Sequence, residues 1–136
     1  MIRDQLFSHK CNIRQYFLAT IVVLGLLPLP AGAQNLSPAQ AAEHIGEKAT
    51  VCGKVANTYY SCFVSRQPTF INFGKPYPDH VFSLVIAGED RGAFDNCPEK
   101  LFAGREVCAT GLIEEYDGKP LMTVKDQSQV EWLDHR

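Results

Sequence analysis

The chain has 136 residues, enough for one domain, and its 13 basic and 15 acidic residues give a formal charge of −2. Residues 1–33 hold three of the basic and one of the acidic residues, so residues 34–136 have a formal charge of −4. A domain this acidic lacks the positive field that proteins binding a phosphate backbone normally carry, which weighs against a nucleic-acid ligand.

Residues 1–33 have the pattern of a secretory signal peptide. A basic start is followed by an apolar run over residues 17–27 and by the small-residue cleavage pattern Ala-Gly-Ala at residues 31–33. The apolar run is too short for a membrane-spanning helix, which needs roughly 20 residues. We therefore predict cleavage after Ala33, a periplasmic or secreted protein, and no stable membrane anchor after cleavage.

A short helix is predicted near the start of the mature domain, which we expect to be a single domain over residues 34–136. Ser37 and Gln40 match a capping box, Pro38 suits the first helical position, and Gly46 is placed to end the helix. We predict that this helix packs beside the sheet and has no functional role.

The next predicted element is a strand over residues 50–59. Its residues alternate as those of a β-strand do, with Val51 and Val55 on one face. Gly53 lies inside this strand, where a glycine is typical of a sheet that bends sharply, as at the corner of a barrel.

Two strands, residues 69–73 and 81–86, form the centre of the predicted fold. Strand side chains alternate, so Phe70 and Asn72 face the same side of the first of these strands. The second strand is apolar at nearly every position, as expected of a strand covered on both faces. We expect the core and any ligand site here, beside a loop that contains Gly and Pro and displays Lys75, Tyr77, Asp79 and His80.

The second half of the chain predicts a helical connection and then a hairpin. Residues 88–102 are polar and contain Gly and Pro, which fits one or two short helical turns. Asp117-Gly118 is a strong signal for a type I′ turn between two strands, and residues 129–133 then cover the sheet. The resulting order, β-β-β-α-β-β with bends at glycines, predicts a mainly β protein with a five-stranded OB-fold barrel.

Three segments resemble small exported bacterial proteins with an OB-fold of the nucleic-acid-binding, tRNA- and helicase-like type: VCGKVANTYYS, PTFINFGKPYPDHVFSLVI and VCATGLIEEYDGKP. The similarity extends over residues 45–130, and its most specific part is the pairing of VCGKV with VCATG around the FINF centre. Such proteins often end in D-P-x-Q-I, whereas residues 126–130 read Asp-Gln-Ser-Gln-Val, without the proline. The resemblance implies the fold and assigns no activity, because most such proteins have no established one.

Four cysteines remain after cleavage, an even number that favours two disulfide bonds in an exported domain. Strands one and four pair in an OB barrel, where facing Cα atoms lie within reach of a disulfide, so we predict Cys52–Cys108. Cys62–Cys97 is then the second predicted bridge. The competing pattern joins Cys52 to Cys62 and Cys97 to Cys108, although a strand running on from Cys52 carries Cys62 away. No C-x-x-C occurs, so a zinc or redox site has little support.

The sequence contains no hydrolase, metalloprotease or phosphate-loop motif, so we predict no enzymatic activity, no cofactor and no metal. A metal-dependent nuclease is a remote alternative, because a related barrel holds its metal with carboxylates on barrel strands. Here the acidic cluster of Glu114, Glu115 and Asp117 lies beside a turn and fits a solvated hairpin end. Asp79 and His80 are neighbours in an extended loop, where adjacent side chains point apart.

Two classes of binding function remain. We expect a module for a peptide, an oligosaccharide or an envelope protein, since the fold, the disulfides and an acidic surface all allow it. The alternative is single-stranded nucleic acid, which OB-folds bind with aromatic platforms and a basic groove. The candidate ligand residues are Lys54, Tyr59, Tyr60, Arg66, Phe70, Lys75 and Tyr77.

Structural roles compete with these assignments. We favour the interpretation that Phe70 belongs to the core and that the tyrosines cap the edge of the barrel. For the binding hypothesis we predict that four side chains lie together on one exposed side of the barrel, near the loop of the central strands: Lys54, Arg66, Lys75 and Tyr77.

Overall fold

The computed structural model describes residues 35–133, so the predicted signal peptide lies outside the described residues. Seven strands occur in this part of the chain: β1 (Asn35–Leu36), β2 (Lys48–Tyr60), β3 (Thr69–Phe73), β4 (Phe82–Ile86), β5 (Glu106–Tyr116), β6 (Lys119–Thr123) and β7 (Val130–Trp132). The helical segments are 3-10 helices over Pro38–His44, Gly88–Ala93 and Gln127–Gln129 and the α-helix α1 (Pro98–Leu101). Within residues 35–133, no helix has the length and hydropathy needed to cross a membrane.

Five of these strands close into a barrel. β2 pairs antiparallel with β3, β3 antiparallel with β4, β4 parallel with β6, β6 antiparallel with β5, and β5 antiparallel with β2. The helical segments over Gly88–Ala93 and Pro98–Leu101 lie between the third and fourth barrel strands. This order is that of the OB-fold, and the predicted fold class is confirmed. Two short strands extend the barrel, since β1 pairs with β2 and β7 with β5.

β2 is longer than predicted because it has two partners. Its first half pairs with β5, from Lys48 to Lys54, and its second half pairs with β3, from Val55 to Tyr60. The register shifts between Val55 and Asn57, which marks an irregularity at the point where β2 changes its partner. Bulges of this kind let a strand bend and increase its twist, as a small barrel requires.

Alternating side chains of the barrel strands fill the interior. Val51, Ile71, Leu84 and Ile113 are fully buried, together with other apolar residues of the same strands. The Pro38–His44 helix contributes Ala41 to this core cluster. Burial of a large aliphatic side chain stabilises the fold by about 1.5–3 kcal/mol, so this interior supplies much of the stability.

The Pro38–His44 helix begins as predicted, and its first residue lies so close to β2 that a side chain has no room at Gly53. Oε1 of Gln40 accepts hydrogen bonds from the backbone N and the Oγ of Ser37, at 2.9 and 3.0 Å. A Cβ atom on Gly53 would lie 2.5 Å from Cγ of Pro38 and 3.3 Å from the ring of Phe73. Gly53 is therefore needed so that the start of this helix can pack against β2, a reason that the sequence pattern does not show.

The β5–β6 hairpin turns at the predicted residues. Asp117 and Gly118 both have positive φ, 51° and 74°, and Tyr116 pairs with Lys119 across them. A two-residue turn with both central residues in the left-handed region is type I′, so this prediction is confirmed.

The first predicted disulfide is present. Cys52 and Cys108 occupy facing positions of β2 and β5, their Cα atoms are 4.0 Å apart, and their sulfur atoms are bonded. The bridge therefore joins the two strands whose pairing closes the barrel.

The second predicted bridge is wrong, because Cys62 and Cys97 are both unbonded and exposed. α1 meets β2 at Thr58, whose Oγ1 donates a 2.7 Å hydrogen bond to the carbonyl of Glu99. Cys62 lies beyond the end of β2 at Tyr60. The prediction of Cys62–Cys97 follows from elimination alone, and no strand pairing holds these two thiols together.

Replacing Cys52 and Cys108 together with alanine should lower the free energy of unfolding by up to about 4 kcal/mol, because the bridge spans 56 residues of chain. Urea denaturation at constant pH measures the loss. The control is the Cys62→Ala/Cys97→Ala double variant, which should change stability by no more than about 0.5 kcal/mol, since both side chains are exposed. Equal losses in the two variants would contradict the assignment.

Gly53→Ala should destabilise the protein by about 1–3 kcal/mol, because the added methyl group has to displace the Pro38 ring. Gly92→Ala is the matched control, since a Cβ atom there meets nothing within 4 Å. Thermal unfolding of both variants tests the difference. A Gly53→Ala protein as stable as the parent would show that the helix start does not require the glycine.

Candidate functional site

A groove of about 700 Å³ lies on the outer face of β2, β3, β4 and β6. The β3–β4 loop and the β5–β6 turn form its rim, and its volume is within the range of small-molecule sites in proteins. The residues that line it are Asn57, Tyr59, Phe70, Asn72, Tyr77, Pro78, His80, Ser83, Val85, Tyr116, Asp117, Lys119, Pro120 and Leu121.

A chain of polar side chains forms the floor of the groove. Asn57, Asn72 and Ser83 occupy facing positions on β2, β3 and β4. Oγ of Ser83 donates a 2.6 Å hydrogen bond to Oδ1 of Asn72, and Nδ2 of Asn72 donates a 3.0 Å bond to Oδ1 of Asn57. Asn72 and Ser83 are buried, so these bonds satisfy groups whose burial would otherwise destabilise the fold.

Aromatic rings stand above this floor. Tyr59 and Phe70 face each other on β2 and β3, while Tyr77 and Tyr116 project from the rim. The exposed fractions of Tyr59, Tyr77 and Tyr116 are 54%, 74% and 75%, which is unusual for large aromatic side chains. The interpretation that Phe70 belongs to the core is wrong, because Phe70 lies outside the core cluster and lines the groove.

The β3–β4 loop is fastened to β6 by a lysine. The ammonium group of Lys119 donates hydrogen bonds to the carbonyl oxygens of Pro78 and of His80, the latter at 2.9 Å. The Tyr77–Pro78 peptide bond is cis. The charge of Lys119 is therefore used to hold the rim of the groove in place.

His80 packs under the rim against Tyr77. Its ring stacks on Tyr77, with the ring centroids 5.7 Å apart and the planes inclined by 23°. Burial, with a smaller effect from the Lys119 ammonium, holds the pKa of His80 below its ordinary value. Nδ1 of His80 is buried and makes no hydrogen bond with the described part of the protein.

Tyr60, a predicted ligand residue, has a structural role away from the groove. The guanidinium group of Arg91 lies 3.9 Å from the centroid of its ring. Arg91 also donates two hydrogen bonds to the carboxylate of Glu99, at 2.8 and 3.1 Å, and one to Oγ1 of Thr69. This cluster holds the helical connection against β2 and β3.

The predicted basic residues do not come together in the groove. Arg66 forms an exposed ion pair with Glu89 at 2.6 Å, and Lys54 faces Glu106 across the β2–β5 pair. Lys75 is exposed in the β3–β4 loop. Of the seven candidates only Tyr59, Phe70 and Tyr77 line the groove, and these three are aromatic. That Lys54, Arg66, Lys75 and Tyr77 share one exposed side of the barrel stays a prediction.

Several groove residues were missed at the sequence level. Ser83 and Val85 lie on the outward face of a strand that was expected to be covered on both sides. Tyr116 and Lys119 flank the predicted hairpin turn, so the sequence already indicates that these two residues pair across it. The position of this turn beside the β3–β4 loop depends on the β4–β6 pairing, which no local pattern indicates.

The acidic cluster on the hairpin is divided between two roles. Asp117 lines the groove, whereas Oε2 of Glu114 accepts a 3.0 Å hydrogen bond from Oγ1 of Thr123. Among residues 35–133, no group of three or more His, Cys, Asp or Glu side chains has the spacing to hold a metal ion.

No protein-family model and no curated protein matches the sequence. Among solved structures, a protein of Leishmania major Friedlin described as an aspartyl-tRNA synthetase matches 82% of this chain and 23% of its own, with 8% identity and a TM-score of 0.47. Asparaginyl-tRNA synthetase from Pyrococcus horikoshii, complexed with asparaginyl-adenylate, matches 68% and 20%, with 14% identity and a TM-score of 0.43. OBody AM3L15, bound to hen egg-white lysozyme, matches 73% and 92%, with 16% identity and a TM-score of 0.45.

Glu99→Gln should lower the free energy of unfolding at pH 7 by about 1–2 kcal/mol, because it removes a charge-assisted contact. The hydrogen bond from Arg91 holds the pKa of Glu99 below its ordinary value. The stabilisation is therefore complete above the ordinary carboxyl pKa and is lost as the pH falls through the folded-state pKa. The difference from the parent should therefore shrink in urea denaturation as the pH falls below the ordinary carboxyl pKa of about 4.

Glu89→Gln is the control for this experiment. Both Glu residues pair with an arginine, but the side chains of Arg66 and Glu89 are 68% and 63% exposed, against 18% and 22% for Arg91 and Glu99. An exposed pair contributes little to stability, so no measurable change is expected. A larger effect of Glu89→Gln than of Glu99→Gln would contradict the role given to the Tyr60 cluster.

Proposed function

We propose that this protein is an exported, non-catalytic OB-fold module that binds its ligand in the groove over β2, β3, β4 and β6. The observation that carries the proposal is the set of exposed aromatic rings above a polar floor. Leaving large rings in water forgoes the stabilisation of burial, so a concave cluster of them is typical of a ligand site.

The groove is suited to binding and not to catalysis. His80 lines it, but the neighbouring Asp79 does not, so these two residues form no acid–base pair there. The groove side chains of Asn57, Asn72 and Ser83 bond to one another, and this gives a floor that is formed before any ligand arrives. A preformed floor lowers the entropy that binding would cost.

Export is supported by the Cys52–Cys108 disulfide. Bonds of this kind persist in oxidising compartments and are rare where thiols are kept reduced. The signal-peptide pattern of residues 1–33 is independent support from the sequence.

Single-stranded nucleic acid is a second candidate ligand, and one observation favours it. Tyr59 and Phe70 face each other on adjacent strands, as stacking platforms for successive bases do. The charge opposes it. Among the described residues, the lining of the groove contains one lysine and no arginine, and that lysine, Lys119, is already bonded to backbone carbonyls. Phosphate contacts need free cations.

Tyr59→Ala should weaken the binding of any groove ligand about tenfold or more, because loss of one stacking ring costs about 1–3 kcal/mol. The exported protein, labelled with ¹⁵N, is titrated with a panel of neutral oligosaccharides, proline-rich peptides and oligothymidylate. The backbone amides that shift identify the binding surface. The proposal expects them in β2, β3, β4 and the two rim loops.

Phe63→Ala is the matched control, since Phe63 is 94% exposed and does not line the groove. It should leave the affinity unchanged. Shifts confined to another surface, or equal losses in the two variants, would refute the groove as the ligand site. Oligothymidylate binding that falls steeply with salt would establish the second candidate instead.

A further inference from the structure

The charged groups of the groove indicate what kind of ligand it accepts. Asp117 contributes a carboxylate to the lining. The pKa of His80 is lowered by burial, so this ring is uncharged at neutral pH, and the ammonium of Lys119 is engaged by two carbonyl oxygens. Among the residues that line the groove, a polyanion would meet the Asp117 carboxylate and a lysine that is already bonded to two carbonyls, so charge complementarity favours an uncharged ligand.

The hydrogen-bonding groups narrow the choice further. The side chain of Asp117 is exposed at the groove, and a carboxylate offers hydrogen-bond acceptors. A ligand that brings donors would replace the water that solvates its two oxygens. The prolines of a polyproline II peptide have no backbone N–H to offer, whereas every hydroxyl group of a sugar is both a donor and an acceptor.

The aromatic rings supply the apolar half of the recognition. Tyr59, Tyr77 and Tyr116 are each more than half exposed and each carries a hydroxyl group at the end of a flat ring. Such side chains combine a large apolar surface with a polar tip at a small cost in conformational entropy. A pyranose ring has the matching form, with C–H groups on its faces and hydroxyl groups at its edge.

We infer that the ligand of the groove is a neutral oligosaccharide, which stacks its sugar rings on Tyr59, Tyr77 and Tyr116 and donates hydroxyl hydrogen bonds to the carboxylate of Asp117. This inference rests on the proposed function and names the ligand class of the same site. The polar floor of Asn57, Asn72 and Ser83 sets the depth of the groove, and the rim residues make the contacts with the sugar.

The test is titration of the ¹⁵N-labelled exported protein with cellohexaose, hexa-N-acetylchitohexaose and maltohexaose, which are all uncharged. At least one of the three should shift the amides of the groove with saturation. Its affinity should change less than about twofold when the salt concentration is raised, because no counterions are released. A proline-rich peptide and oligothymidylate serve as the competing ligand classes.

Asp117→Asn provides the sharpest variant. Asparagine tolerates the positive φ of the turn, so the hairpin is kept while the charged acceptor is lost. The variant should bind the saccharide about tenfold more weakly. Glu115→Gln is the control, two residues earlier at the end of β5 and outside the groove lining, and should bind as the parent does.

The outcomes separate the inference from the proposed function. If the peptide or the oligonucleotide shifts the groove amides and no saccharide does, the saccharide inference is overturned and the groove remains the ligand site. If a saccharide binds but Asp117→Asn binds it as tightly as the parent, the inference is overturned as well. If none of the ligands shifts the groove amides, both fail.

Discussion

The pairing of β2 with β5 is the contact on which the rest of the structure depends. β2 has 13 residues and two partners, because its first half pairs with β5 and its second half with β3. β5 meets β2 only after the whole helical connection, so this long-range contact closes the barrel. Cys52–Cys108 joins the two strands at facing positions and makes the closure covalent.

Closure of the barrel also creates the groove. The β2–β3 and β3–β4 pairings bring Asn57, Asn72 and Ser83 next to one another, and once β6 lies beside β4 the outer faces of the four strands become continuous. Polar groups at that depth would destabilise the sheet if they were unpaired, and each bonds to its neighbour. The fold thus determines the floor, while the two rim loops determine the shape of the groove above it.

Electrostatic contacts hold three of the segments that connect the barrel strands in place. Arg91 fastens the helical connection through Glu99, Arg66 pairs with Glu89 at the β2–β3 loop, and Lys119 holds the β3–β4 loop. A guanidinium or ammonium group that is bonded in this way is not available to a negatively charged ligand. The lining of the groove consequently offers aromatic rings, hydroxyl groups and one carboxylate, and in this it differs from a basic nucleic-acid groove.

The sequence by itself determined the strand order, the type I′ turn and the Cys52–Cys108 bridge. Alternating side chains and turn residues are local signals, and the OB-fold topology then states which strands pair. Only the tertiary structure decided between Tyr59 and Tyr60. The two-residue period of a strand shows that neighbouring side chains face opposite sides of the sheet, but it does not show which side carries the groove. The irregularity after Val55 also interrupts the alternation, so the side on which a later residue lies cannot be counted from the start of β2. Which residues line the groove depends on which loops the closed barrel brings together.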